Sequence, residues 1–139
     1  MDNILATYYS TGQKVDAVLA SADVLSLGII SSLDSMGYTQ SDWPIITGQD
    51  AELASVKYIL DGKQSMTVFK DTRTLATDAI NMATTVLEKK TPSTTGEYDN
   101  GAKKVPAKQT AVIVVEKDNV KSALIDSGYY TQAQIDQAK

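Results

Sequence analysis

The stretch Pro44 to Thr72, PIITGQDAELASVKYILDGKQSMTVFKDT, leaves the chain few ways to fold. It starts with the apolar run Pro44-Ile45-Ile46-Thr47 and breaks at Gly48-Gln49-Asp50. It continues at helical spacing through Leu53, Val56, Ile59 and Leu60, stops at Gly62, and returns through Met66-Thr67-Val68-Phe69 to Lys70-Asp71. That order is strand, turn, helix, strand. Two strands joined by a helix of this length run parallel, so Gln49-Asp50 and Lys70-Asp71 emerge at the same edge of one sheet. In open α/β sheets that carboxyl edge is where ligands bind.

The flanking segments extend the pattern. Asp2 to Tyr9 reads as a short helix with Asp2 placed to cap it and Ile4, Leu5 and Tyr8 facing inward. Val15 to Ser21 is a β-rich run, and Asp23 is placed to cap a helix carrying Leu25, Ile29, Ile30 and Leu33 up to the Gly37 stop. Pro44 suits a first strand residue, where no ladder donor is needed. After Lys70, Thr72 is placed to cap a long helix through Leu75, Ala79, Met82, Ala83 and Val86, ending in Lys89-Lys90, where positive charge suits the helix C-terminus. Thr91 to Gln109 then reads as a long loop with an Asp99-Asn100-Gly101 turn signal. Thr110 to Val115 is a β run, followed by an Asp118-capped helix to Gly128 and a polar tail from Thr131 with one weak helical turn. The result is an α/β chain with parallel strands near 15–21, 44–47 and 66–69 and a later strand at 110–115.

Residue usage removes whole classes of chemistry. The chain has 139 residues, no cysteine and no histidine, so disulfides, thiol nucleophiles, the usual zinc sites and histidine acid–base catalysis are excluded. A net charge of −4, with no basic cluster denser than Lys89-Lys90 and Lys103-Lys104, argues against nucleic acid and anionic membrane surfaces. No apolar run approaches the roughly 18 residues that span a bilayer. No cofactor is implied, and no pair among Asp16, Asp34, Asp42 and Asp61 has the spacing of a metal loop.

Three strand ends supply the candidate ligand residues: Asp23, Asp50 and Lys70. Asp23 and Asp50 each precede a helix, where an N-cap role alone accounts for an aspartate. Asp50 also follows Gly48, which permits a tight turn, and shares the sheet edge with Lys70, so ligand and cap readings are both open for it. Lys70 is either a ligand donor or a partner of Asp71. Trp43 and Tyr38 precede their strand, at the opposite end from Asp50, and read as packing residues. The pairs Tyr8-Tyr9 and Tyr129-Tyr130 read as half-buried amphipathic packing.

Taken together, VDAVLAS at Val15–Ser21, GQDAE at Gly48–Glu52, MTVFKDTR at Met66–Arg73 and DSGYY at Asp126–Tyr130 resemble the C-terminal part of sugar-binding receptors of bacterial ABC importers. The similarity is to the xylose-binding and multiple-sugar-binding branch of the type I periplasmic-binding-protein superfamily. It implies a three-layer αβα fold with a mostly parallel sheet, part of one lobe of a two-lobe receptor more than twice this length. It implies that residues 1–71 belong to the sugar-binding lobe, that the helix in 72–90 belongs to the other lobe, that 91–109 is a loop leading back, and that 110–139 holds the final strand and helices. It places Asp50 on the family's aspartate that accepts from sugar hydroxyls, Lys70 on a basic donor to them, and Asp23 on a position that caps its helix and supports the site. Relatives often carry a polar or aromatic residue where this chain has Ala22, which leaves the sugar open. The expected partners are a monosaccharide, pentose or hexose, and the importer's membrane permease, with a periplasmic or lipid-anchored extracellular location and self-association of the short chain.

Binding without catalysis is therefore the expected function. Two rivals fit an aspartate and a lysine at strand ends. A receiver-like phosphoacceptor domain needs a further acidic pair on an early strand to hold Mg²⁺, and Asp2 and Asp16 stand in the wrong places for it. A sugar-processing enzyme with Lys70 as Schiff-base nucleophile needs a depressed lysine pKa, against the pull of Asp71 and Asp50.

Overall fold

The computed structural model describes residues 1–138. Its elements run α1 (Asp2–Tyr8), β1 (Ala17–Val18), α2 (Asp23–Ser35), β2 (Ile45–Ile46), α3 (Leu53–Leu60), β3 (Thr67–Phe69), α4 (Thr72–Leu87), β4 (Gly96–Asp99), β5 (Lys104–Ala107), β6 (Ile113–Val115), a 3₁₀ turn (Lys117–Asn119), a π turn (Lys121–Ile125) and α5 (Gln132–Gln137). The chain divides into two compact units, one of Met1–Phe69 with the chain from Ile113 onward, the other of Lys70–Val112.

In the first unit β1 and β2 pair in parallel, Ala17 opposite Ile45 and Val18 opposite Ile46. A parallel bridge from Gln49 to Val68 continues this order toward β3. The last strand, β6, runs antiparallel to β3. Strand, helix and strand from Pro44 to Phe69 thus form as the spacing demands. The ladders are shorter than the apolar runs because side chains take over the hydrogen bonds at their ends. Val15 N donates to the Tyr38 hydroxyl at 3.2 Å, and Ala20 exchanges two 3.0 Å bonds with the Thr47 hydroxyl.

Helix stops are local. Both α2 and α3 end on a glycine in the left-handed region, Gly37 and Gly62. In each, the next two amides fold back onto the last turn: Gly37 N to Asp34 O and Tyr38 N to Leu33 O, then Gly62 N to Ile59 O and Lys63 N to Tyr58 O. Leu5, Ile30, Leu33, Val15, Tyr38 and Ile46 close one apolar cluster between α1, α2 and the parallel pair. Val56, Ile59, Phe69, Val115, Leu124 and Ile135 close a second between α3, α5 and the antiparallel pair. Helices thus cover the sheet through two cores, which is the three-layer αβα arrangement.

Several expectations are corrected. In α1 only Leu5 is buried; Ile4 and Tyr8 are 50% and 68% exposed, because a seven-residue helix presents one inward position. Its N-cap is Met1, so Asp2 sits in the first turn without capping. The segment after β6 is not an Asp118-capped helix. Glu116 N donates instead to Asn119 Oδ1 at 2.8 Å, which tightens the chain into the 3₁₀ and π turns. The tail after Thr131 is a capped helix, with Gln134 N on Thr131 Oγ1 at 3.2 Å and Ile135 only 1% exposed.

In the second unit α4 is capped by Asp71 rather than Thr72: Arg73 N donates to Asp71 Oδ1 at 2.9 Å, and the Arg73 guanidinium pairs with the same carboxylate. The expected loop 91–109 contains a β4–β5 hairpin, its turn held by Gly101 N on Asp99 Oδ1 and Lys103 N on Asn100 Oδ1. Its strands escape a hydrophobic pattern because GEYD is exposed along its whole length. Lys108 and Asp78 join hairpin and helix at 2.7 Å.

The turn into β2 is tied by Asp42, which accepts from Thr39 N at 2.6 Å and from the Thr39 hydroxyl at 2.7 Å and pairs with Lys14 at 2.9 Å. The Thr39 bonds first, and Lys14 with them, hold its carboxyl at about 2. A carboxyl depressed in the folded state contributes stability above the unfolded value and loses it as pH falls through the folded one. Asp42→Asn is expected to lower the unfolding midpoint at pH 7, with the gap from the parent closing between pH 4 and 2, as followed by urea denaturation across pH.

Candidate functional site

The residues that follow β1 and β2 meet at the carboxyl edge of the parallel pair. There Leu19, Ser21, Gly48, Gln49 and Val68 help to line a hollow of about 340 Å³. Its lining along the second strand ends at Gln49, and Asp50 is the next residue. Asp50 is exposed; Ala51 beside it is buried.

The backbone at this point is unusual. Asp50 and Ala51 have φ of 99° and 53°, in the left-handed region that side chains with a Cβ enter at a cost. Neither residue caps α3, whose N-cap is Glu52 with no side-chain bond, so the cap reading of Asp50 is set aside. Every amide of the turn is instead bonded across to another element. Asp50 N donates to Val68 O at 3.0 Å, Ala51 N to the Thr67 hydroxyl at 3.2 Å, and Glu52 N to Asp23 Oδ2 at 2.8 Å. The Tyr130 hydroxyl donates to Ala51 O at 3.0 Å.

Asp23 lies at the centre of this set. It is the first residue of α2, whose N-cap is Ala22, and its carboxylate does not cap its own helix. It is 0% exposed. Gln64 Nε2 donates to Oδ1 at 2.8 Å, and the Thr67 hydroxyl donates to Oδ2 at 3.0 Å beside Glu52 N. Burial pushes the Asp23 carboxyl up, against these three donors, and the nearby Asp50 charge adds to the rise.

Gly48 has a different role from the one its sequence context suggests. Its φ is not in the left-handed region; a Cβ there would stand 2.0 Å from Asp23 Oδ1 and 2.4 Å from Gln64 Nε2. Glycine is required because Asp23 and Gln64 approach its backbone. The structure thus joins Asp23 to the Asp50 turn in one unit, and Lys70, half-buried directly after β3, opens the other. Trp43 packs against the first cluster and donates to Lys63 O at 2.7 Å. Sequence reasoning missed Gln64, Thr67 and Tyr130 as parts of the site, and only the tyrosine pair had drawn notice.

Comparison with known proteins places the chain among binding proteins. Residues 1–91 match the family described as periplasmic binding protein domain. The chain is 49% identical over 137 residues to the multiple sugar-binding periplasmic protein SbpA of Azospirillum brasilense, covering 96% of this chain and 38% of that protein. It is 35% identical to the D-xylose-binding periplasmic protein of Escherichia coli K12, covering 97% and 39%. Among solved structures, an ABC transporter solute binding protein of Clostridium phytofermentans with bound β-D-glucose superimposes with a TM-score of 0.85 at 45% identity, covering 96% of this chain and 41% of that one. The chain therefore spans about two fifths of the length of the relatives it matches.

The two extremes of glycine use, buried Gly48 and exposed Gly28, give a direct test. Gly48→Ala should destabilise by about 2 kcal/mol or more through overpacking against Asp23. Gly28→Ala, in α2 with nothing within 4 Å of the new methyl, should stabilise by about 0.5 to 1 kcal/mol. Urea titrations of the two variants should show midpoints moving in opposite directions.

Proposed function

The chain belongs to the periplasmic binding protein domain family, and from that premise we propose that it is the sugar-contacting part of the solute-binding component of an ABC importer for monosaccharides. The single observation that carries this reading is Asp50: an exposed carboxylate on a left-handed backbone at the carboxyl edge of a parallel pair, with its own amide and those of Ala51 and Glu52 bonded to other parts of the chain. A carboxylate held so accepts bonds from adjacent sugar hydroxyls, each charge-assisted and roughly twice as strong as a neutral one. Lys70, at the first position beyond β3, is assigned a donor role toward a sugar hydroxyl. Ala22, at the end of β1's loop, offers no side-chain hydrogen bond and widens the choice of sugar. The names of the relatives, multiple sugar-binding and D-xylose-binding, and the glucose in the solved neighbour support a pentose or hexose ligand.

The role is binding without chemical turnover, and the relatives named are binding proteins. A periplasmic or lipid-anchored location and a membrane permease as partner follow from the same reading. The unit Lys70–Val112 belongs on this reading to the other lobe of such a receptor, a reading its separate compactness supports. Leu19, 89% exposed, together with Val24 and Leu25 offers an apolar surface that favours self-association. A monomeric mass by light scattering at high concentration would count against that.

The ligand is tested on the ¹⁵N-labelled chain with glucose, xylose, galactose and arabinose. Saturable binding is expected, with amide shifts confined to Ser21–Ala22 and Gly48–Glu52 and abolished in Asp50→Ala. Uniform or absent shifts with every sugar would overturn the reading.

A further inference from the structure

Asp23 is fully buried, and neither apolar cluster includes it. Its contacts go instead to the turn that carries Asp50. We infer that Asp23 is a positioning residue for sugar recognition: by clamping Glu52 and Thr67 it holds Asp50 and Ala51 in the left-handed backbone that aims the Asp50 carboxylate.

The inference rests on the sugar reading of Asp50 and proceeds from hydrogen-bond capacity. The Thr67 hydroxyl has one proton, which goes to Asp23 Oδ2; its lone pairs are thereby turned toward Ala51 N. Asp23 thus fixes Ala51 through Thr67 and Glu52 directly, at 2.8 Å. Its backbone amide also donates to Gln49 O at 2.9 Å, so Asp23 reaches both ends of the turn, while Val68 O and the Tyr130 hydroxyl hold its middle. Two consecutive left-handed residues with a Cβ persist only where the surroundings over-determine them. Without Asp23 the Thr67 hydroxyl is free to rotate, the Glu52 amide loses its acceptor, and the pair relaxes toward ordinary negative φ. That rotation swings the Asp50 Cβ away from its present direction. Gln64 completes the clamp from the approach to β3, its Nε2 shared between Asp23 Oδ1 at 2.8 Å and Met66 O at 3.1 Å. Gly48 leaves the room for both.

The buried Gln64 Oε1 has no hydrogen-bond partner among the described residues. It grades the variants: in Asp23→Asn a flipped Gln64 amide can present Oε1 to the new Nδ2, at the expense of the bond to Met66 O. Asp23→Asn is therefore expected to retain part of the clamp and Asp23→Ala none. Thr67→Val removes the hydroxyl while leaving the carboxylate.

The experiment compares ¹⁵N-labelled parent, Asp23→Ala, Asp23→Asn and Thr67→Val. Hydrogen exchange at Ala51 and Glu52 is read against Ile59 in α3, the three-bond couplings that report φ at Asp50 and Ala51 are measured, and glucose-induced shifts are titrated. Exchange at Ala51 and Glu52 should rise about tenfold relative to Ile59, couplings at Asp50 and Ala51 should leave the left-handed range, and the glucose response should weaken in the same order. Should Asp23→Ala fail to fold, the other two variants carry the comparison. Unchanged couplings at Asp50 and Ala51, with only a global loss of stability, would overturn the inference. So would an undiminished glucose response in a variant whose turn has loosened. A parent chain that shows no localised sugar shifts refutes the sugar reading itself and the recognition role with it, whereas exchange and couplings still decide separately whether Asp23 holds the turn.

Discussion

A carboxylate withdrawn from water has to be met by donors, and Asp23 collects one from each of three places: the start of α3, the approach to β3, and β3 itself. The turn after β2 takes its backbone course from that meeting, and the side chain of Asp50 takes its direction from the turn. Burial of the charge is unfavourable in itself, which is why the Asp23 carboxyl is pushed upward despite its donors. The arrangement is tolerable because the donors are already placed by secondary structure and need little further ordering.

The strand, turn, helix and strand from Pro44 to Phe69 were legible because glycine and apolar spacing mark their limits at single residues, Gly48 and Gly62. The purpose of Gly48 was not. Its context suggested a turn, whereas the requirement is the approach of Asp23, twenty-five positions earlier in the chain, and nothing local encodes a neighbour that distant. The same reason hid Gln64, Thr67 and Tyr130, whose parts depend on tertiary placement. The β4–β5 hairpin was missed from the opposite cause. The first strand is exposed along its whole length and the second alternates only between exposed and half-buried, so the apolar pattern is weak, and only Asn100-Gly101 announced it. In α5 a single buried position, Ile135, does the packing, and one residue makes no period.

Family resemblance added what periodicity could not reach, namely the proposal that the edge aspartate contacts a sugar. The comparisons bear out the family and the fold. The physical reading adds how the turn that carries Asp50 is held: the amides of Asp50, Ala51 and Glu52 each donate to another part of the protein.

The second unit leaves and rejoins the first at Phe69 and Ile113, which are cross-strand partners in the β3–β6 ladder. The whole of Lys70–Val112 is thus an excursion from one rung of a sheet. Its ends are joined by the ladder, so the residues between have no part in holding them together. Closure entropy grows only with the logarithm of length, about 0.6 kcal/mol for each doubling. An excursion of this kind can change in length at small entropic cost while the sheet that binds its ends stays in register.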